Sequence, residues 1–213
     1  MMAKHEMMEK DFWTAAIREH ILDSADVKRQ VADHCADDIA MAVAVIVDVL
    51  RSGGKVLLCG NGGSAADCQH IAAELTSALI KDRIRPALPA LALTTDTSFL
   101  TANANDFGFE GVFARQVEAL GRPEDVLIGI STSGNSPNVV QAISQARKLG
   151  LRTIALTGRT GGRLADDAEL VIRVPSDNTS HIQESHITIG HSVCAMVEQA
   201  LFGDIREAAI TTV

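Results

Sequence analysis

A histidine and a glutamate one helical turn apart, His70 and Glu74, follow directly on the glycine-rich segment Gly60-Asn61-Gly62-Gly63-Ser64. Side chains four residues apart share a helix face, so this pair can work as acid and base or as two ligands of one metal ion. The apolar run Lys55-Val56-Leu57-Leu58-Cys59 before it reads as a buried strand, and Ser64 with Asp67 has the form of a helix-opening capping box. Glycines permit the tight turn, and the free amides of a helix start attract an anion. A second segment of the same kind, Ser131-Thr132-Ser133-Gly134-Asn135-Ser136-Pro137, follows the apolar run 126–130. Ser136 suits the N-cap there and Pro137 the first helical position. Hydroxyls and amides converging on one point hold a phosphate without Lys or Arg. Alone, that segment reads equally as an ordinary Ser/Gly turn. Two such loops on one sheet edge favour a site for a small phosphorylated molecule.

The elements that must position these groups are legible in the hydrophobic pattern. Residues 12–22 and 27–50 read as two amphipathic helices, the second stopped by Gly53-Gly54. After them, apolar runs at 55–59, 90–94, 126–130, 153–157 and 170–174 alternate with helical stretches at 65–80, 111–120, 137–149 and from 181 to 201. Asp96 and Thr97 read as another helix start. Continuous apolar strands separated by helices predict a parallel sheet covered on both faces. The class is a three-layer α/β/α sandwich with a five-stranded parallel sheet and a helical N-terminal extension. In such sheets ligands lie beyond the carboxyl ends of the strands, near the topological switch point. Both glycine/serine loops fall there.

Composition bounds the function. At 213 residues and 46% hydrophobic content, the chain suits one domain with a substantial core. A formal charge of -8 and a pI near 5.3 argue against nucleic acid or an anionic membrane as partner. The longest apolar stretch, 39–50, is short for a membrane span and is interrupted by Asp48. The first eleven residues mix Lys, Glu and His and do not read as a secretory signal. Cys35, Cys59, Cys68 and Cys194 lack CxxC spacing and read as buried thiols.

The two loops, together with Asn105-Asp106-Phe107-Gly108 and the stretch from Ile182-Gln183-Glu184 to His191, resemble the sugar isomerase (SIS) superfamily, a flavodoxin-like fold. Within it the chain is similar to the phosphoheptose isomerases, which convert sedoheptulose 7-phosphate to D-glycero-D-manno-heptose 7-phosphate. The likeness runs from about residue 45 to 202. It implies one SIS domain over 1–213, with 1–52 as an oligomerisation extension and 53–205 as the phosphosugar-binding core. It further implies that Asn61, Gly62, Gly63, Ser64, Glu74, Asn105, Asp106 and Gln183 touch substrate, and that Ser131, Thr132, Ser133 and Ser136 hold its phosphate. His70, Glu74, Gln183 and His191 match the zinc-site positions, one zinc per subunit, with Glu74 as catalytic base and His191 as its acid/base partner. A homotetramer with sites at subunit interfaces, a cytoplasmic enzyme and a place in lipopolysaccharide core synthesis complete the implied picture. One departure stands out: many relatives carry Arg four residues after the catalytic Glu, where this chain has Ala78. Arg83 or Arg85 is the candidate replacement.

Several residues admit a second reading. His70 could be a core histidine that only orients Glu74, and His191 a buried histidine in an apolar helix. Ser180 and Gln183 have capping-box spacing, His181 and His186 read as surface or supporting groups, and Asp106 could simply cap a segment. In a continuous helix Gln183 and His191 lie ~12 Å apart along the axis, far for two ligands with bonds of ~2 Å. Either the helix begins after Gln183, the reading preferred from sequence, or the two serve sites in different subunits. Competing functions are an isomerase for a shorter sugar phosphate, a sugar-phosphate sensor domain, and a non-catalytic tetrameric factor that binds a replication initiator. The presence of Glu74 and His191 favours the enzyme.

Overall fold

The computed structural model describes residues 2–80 and 85–203. In order these form α1 (Met2–His34), α2 (Ala36–Arg51), β1 (Val56–Gly60), α3 (Gly63–Thr76), β2 (Ala90–Ala92) and α4 (Thr97–Phe107). A 3-10 turn (Phe109–Gly111) leads to α5 (Val112–Leu120), β3 (Val126–Ile130), α6 (Pro137–Leu149), β4 (Arg152–Thr157), α7 (Leu164–Asp167), β5 (Leu170–Arg173) and α8 (Thr179–Phe202). The five strands pair in the order β2-β1-β3-β4-β5, all parallel. The chain winds outward from β1 to β2 and then returns to the other side of β1 as β3. That reversal puts the switch point between β1 and β3, so both polar loops open at it.

Each central strand is buried on both faces because its side chains alternate between two apolar layers. Val56 and Leu58 of β1, Val126, Ile128 and Ile130 of β3, and Ile154 and Leu156 of β4 join one layer with α2, α3 and α8. Leu57, Cys59, Leu127 and Ala155 face the other, built from α5 and α6. The expected three-layer architecture is therefore present. β2 is shorter than the 90–94 run predicts, although the Leu93 amide still donates to the Leu58 carbonyl at 2.8 Å.

The N-terminal helices differ from the sequence reading. The break falls at Cys35 rather than between residues 22 and 27, and α1 is a single long helix. Its second half buries Ser24, Val27 and Val31, with Cys35 one turn further, at the spacing of one helix face. Before Ser24 it exposes Phe12, Trp13, Ile17, Ile21 and Leu22. All four cysteines are free and buried, as expected. Among the described residues, no helix is long and apolar enough to cross a membrane.

Candidate active site

The site is built on the seam between α3 and α8, which run side by side from the switch point. The helix start of α3 is not a capping box. Its N-cap is Gly62, whose φ of 55° and ψ of -121° suit glycine, and Ser64 and Asp67 lie inside the helix. Asp67 turns instead to α8, where it accepts from Gln183 Nε2 at 2.7 and 2.9 Å. A carboxylate only accepts, so this contact fixes the orientation of the Gln183 amide and leaves its carbonyl oxygen for another partner. Burial raises the Asp67 pKa, offset in part by the Gln183 bond and by the His70 and His191 imidazoles.

One turn along the seam, three groups converge. His70 Nε2 lies 3.1 Å from Glu74 Oε1 and 3.0 Å from His191 Nε2, and His191 Nε2 lies 3.4 Å from Glu74 Oε1. The close passage of the helices depends on Gly190, where a Cβ would fall 2.7 Å from Ile71 Cδ1. The Glu74 side chain is 11% exposed, against 53% and 46% for His70 and His191, so the carboxylate forms the floor and the imidazoles the open rim. Glu74 Oε2 is buried without a hydrogen-bond partner among the described residues. Two imidazole nitrogens and a carboxylate oxygen within 4.8 Å of one another could hold a metal ion. Tetrahedral bonds of ~2.0–2.1 Å put ligand atoms ~3.3 Å apart, close to the separations found. The donor set fits zinc.

Gln183 does not join this cluster through a hydrogen bond. α8 already begins at Thr179, capped by Asn178 Oδ1 accepting from the amides of Ser180 and His181. The expectation that the helix starts after Gln183 is overturned, as is the Ser180–Gln183 capping box. The cap signal belongs to Asn178, and Gln183 lies within the helix, eight residues before His191. His181 and His186 are both buried, not surface groups. His181 Nε2 meets His20 Nδ1 at 3.3 Å, while His186 Nε2 meets the Thr157 carbonyl at 3.1 Å. Burial holds the His186 pKa down to about 4, slightly offset by that carbonyl.

The second loop caps α6. Ser136 is the N-cap residue and Pro137 opens the helix, but the Ser136 hydroxyl does not cap. It lies 2.9 Å from Ser131 Oγ, which in turn is 3.5 Å from Ser133 Oγ, with Thr132 half-buried between them. Three hydroxyls thus cluster at the start of α6, where an anion could be held. Gly134, with φ of 67°, passes so close to the Gly161 carbonyl that a Cβ there would clash with the backbone. The two loops are tied together by a reciprocal amide pair: Asn61 and Asn138 donate to each other at 2.9 Å. Gly62 and Gly63 are exposed at this edge, and Ser64 is buried beneath it. Asn105 and Asp106 sit in the last turn of α4, exposed and bonded to one another at 2.8 Å, with no hydrogen bond to the other candidate residues. Asp96, in contrast, caps α4 as predicted, accepting from the Phe99 amide at 2.9 Å.

Of the two candidate replacements for the missing charge at Ala78, Arg83 lies outside the described residues. Arg85 is buried against Glu198 and is not presented to a sugar. Sequence reading also missed Asn138 and the Asp67–Gln183 contact. The signals were present: a polar residue just inside a helix start, and a carboxylate three residues before His70 on the same face.

A seam that joins His/Glu to His, on a 2-1-3-4-5 parallel sheet that carries a serine loop at its switch point, defines a phosphosugar-binding α/β enzyme class. The SIS domain family model matches residues 19–158, and the chain belongs to that family. Within it, the chain belongs to the phosphoheptose isomerases. It is 53% identical over 187 residues to the phosphoheptose isomerase of Akkermansia muciniphila, covering 88% of this chain and 97% of that protein. A solved phosphoheptose isomerase from Neisseria gonorrhoeae superposes with a TM-score of 0.82 at 43% identity, covering 87% of this chain and 98% of that one. The enzyme from Francisella tularensis gives 0.84 at 40% identity, covering 87% and 97%.

Proposed function

We propose that this chain isomerises sedoheptulose 7-phosphate to D-glycero-D-manno-heptose 7-phosphate. The observation that carries the reading is the convergence of Glu74, His70 and His191 from two different helices, in a chain whose serine cluster opens at the carboxyl edge of the sheet. Ketose-to-aldose conversion removes a proton from C1, next to the C2 carbonyl, and delivers it to C2. Glu74 takes that proton and returns it on the neighbouring carbon. His191 passes a proton between the C1 and C2 oxygens, a task suited to an imidazole near neutral pH. The hydroxyls of Ser131, Ser133 and Ser136, with Thr132, anchor the phosphate, so binding energy far from the reacting carbons positions them. Asn61, held by Asn138, together with Gly62, Gly63, Ser64, Asn105 and Asp106, lines the sugar's path in this reading.

His70, Glu74 and His191 would hold zinc, one ion per subunit, and a bound zinc would polarise the sugar oxygens as a Lewis acid. Gln183 offers its carbonyl oxygen as a substrate contact and a fourth ligand. In this reading its separation from His191 along α8 is accommodated if the two serve the sites of different copies. A homotetramer accommodates this: the exposed stripe of Trp13, Ile17 and Ile21 on α1, flanked by Phe12 and Leu22, fits a second copy of the chain. The reading places the enzyme in the cytoplasm, supplying heptose for the lipopolysaccharide core. Turnover compared on five-, six- and seven-carbon sugar phosphates, with and without chelator, tests it. Seven-carbon preference with chelator-sensitive turnover supports the reading. Faster turnover of a pentose or hexose phosphate would refute the substrate assignment, and chelator-insensitive turnover the metal.

A further inference from the structure

Arg85 has no part in the chemistry above, yet its side chain is 1% exposed, as is that of its partner Glu198. The guanidinium makes a dense set of contacts. Nε and Nη2 reach Glu198 Oε1 at 2.7 and 2.6 Å, Nη1 donates to the Leu75 and Pro86 carbonyls at 2.9 Å, and Nη2 donates to the Glu74 carbonyl at 2.7 Å. α3 ends at Thr76 with Ser77, not glycine, as its C-cap, and the Ser77 amide takes the Ala73 carbonyl. The carbonyls of Glu74 and Leu75 are among those a helix end leaves without an intrahelical donor, and Arg85 donates to both. A cation at a helix C-terminus also complements the dipole.

The other end of the contact matters as much. Glu198 lies on α8 two turns beyond His191, on the same face, and its Oε1 also accepts from the Leu79 amide at 3.1 Å. One guanidinium therefore bonds to the main chain of the base and to the helix that carries the base's partner. The Cys194 thiol lies in the same enclosure: burial, then the Glu74 and Glu198 charges, push its pKa up. Buried ion pairs are commonly no more stabilising than apolar residues of similar size, so stability alone does not account for this one.

We infer that the Arg85–Glu198 pair is a positioning device for the isomerase reaction, locking the last turn of α3 to α8 so that Glu74 and His191 stay in register. The inference rests on Glu74 being the base, a reading that the loss of turnover in Glu74→Gln tests separately. Arg85→Lys keeps the charge pair but cannot bond both carbonyls in one plane. Arg85→Met/Glu198→Leu replaces the pair by apolar groups. Both should leave KM for sedoheptulose 7-phosphate within about threefold, because the serine loop is untouched. Both should lower kcat ~10–100-fold, since displacement of about 1 Å at a reacting group costs up to ~10²-fold. Glu198→Gln retains an acceptor oxygen and should keep kcat within about threefold even where its melting temperature falls. A crystal structure of Arg85→Lys supplies a readout independent of turnover. The inference predicts that Glu74 Oε1 and His191 Nε2 move apart from their 3.4 Å separation. Wild-type kcat in Arg85→Lys, or an unchanged separation in its structure, overturns it.

Discussion

Gly190→Ala tests the seam itself. A methyl group at Gly190 would lie 2.7 Å from Ile71 Cδ1 and 2.8 Å from Ile71 Cγ1, and these are the only heavy atoms it would crowd among the described residues. Carbon atoms settle ~3.5–4.0 Å apart, so the helices must part by about 1 Å or Ile71 must move. Ile71 is 3% exposed and has little room. Overpacking of this kind costs ~1–3 kcal/mol, while replacing a mid-helix glycine by alanine returns ~1 kcal/mol of helix propensity. The net destabilisation is ~0–2 kcal/mol, a fall in melting temperature of at most about 8 °C for a chain of this size. Turnover should suffer more, because the next residue is His191. A 1 Å shift of the imidazole from Glu74 lowers kcat by ~10–100-fold. Thermal melts and product formation from sedoheptulose 7-phosphate, measured on the same preparation, separate the two effects. Adding Ile71→Ala, which removes both crowded carbons, should recover much of the lost kcat. A Gly190→Ala protein with wild-type kcat and melting temperature would refute the claim that this glycine sets the spacing of the site.

Other consequences follow from the same geometry. Ser131→Ala removes the hydroxyl shared with Ser133 and Ser136 and should raise KM for the sugar phosphate by ~10-fold, about 1.4 kcal/mol, with a smaller change in kcat; steady-state kinetics checks this. His186 stays neutral in the fold down to about pH 4, whereas the unfolded chain binds that proton near pH 6.5. The unfolded state therefore holds more protons between these values, and stability is lost as pH falls from 6.5 toward 4, at up to ~1.4 kcal/mol per pH unit. Urea melts across that range should show the slope, and His186→Gln should flatten it. Trp13→Glu with Ile17→Glu charges the α1 stripe and should shift the sedimentation coefficient of the proposed tetramer toward smaller species.

The architecture was legible because its signals are local. The apolar runs at 55–59, 126–130 and 153–157 became the buried central strands, and the loops after β1 and β3 met at one edge because parallel topology leaves them no other place. Glu74 and His70 were visible for a similar reason, since their spacing alone puts them on one helix face. The arrival of His191 beside them was not legible from periodicity. It depends on how closely α8 approaches α3, which Gly190 and Ile71 decide through packing rather than pattern. Gln183 illustrates the converse. Its amide is held by Asp67, a residue whose spacing from Ser64 suggested a cap, and the true cap signal of α8 was Asn178, one position before the helix. Arg85 was noticed as a charge and misread in purpose, because burial against Glu198 joins residues 113 apart in sequence.

In the proposed function Glu74 moves the proton that defines the reaction. The most direct test of that role follows sedoheptulose 7-phosphate by phosphorus and proton NMR with the wild type and with Glu74→Gln, which keeps the shape of the side chain while removing the base. The wild type should convert the substrate to the aldose phosphate. Glu74→Gln should give no conversion, although that variant still binds the sugar phosphate through the serine loop. Continued isomerisation by the glutamine variant would contradict the role.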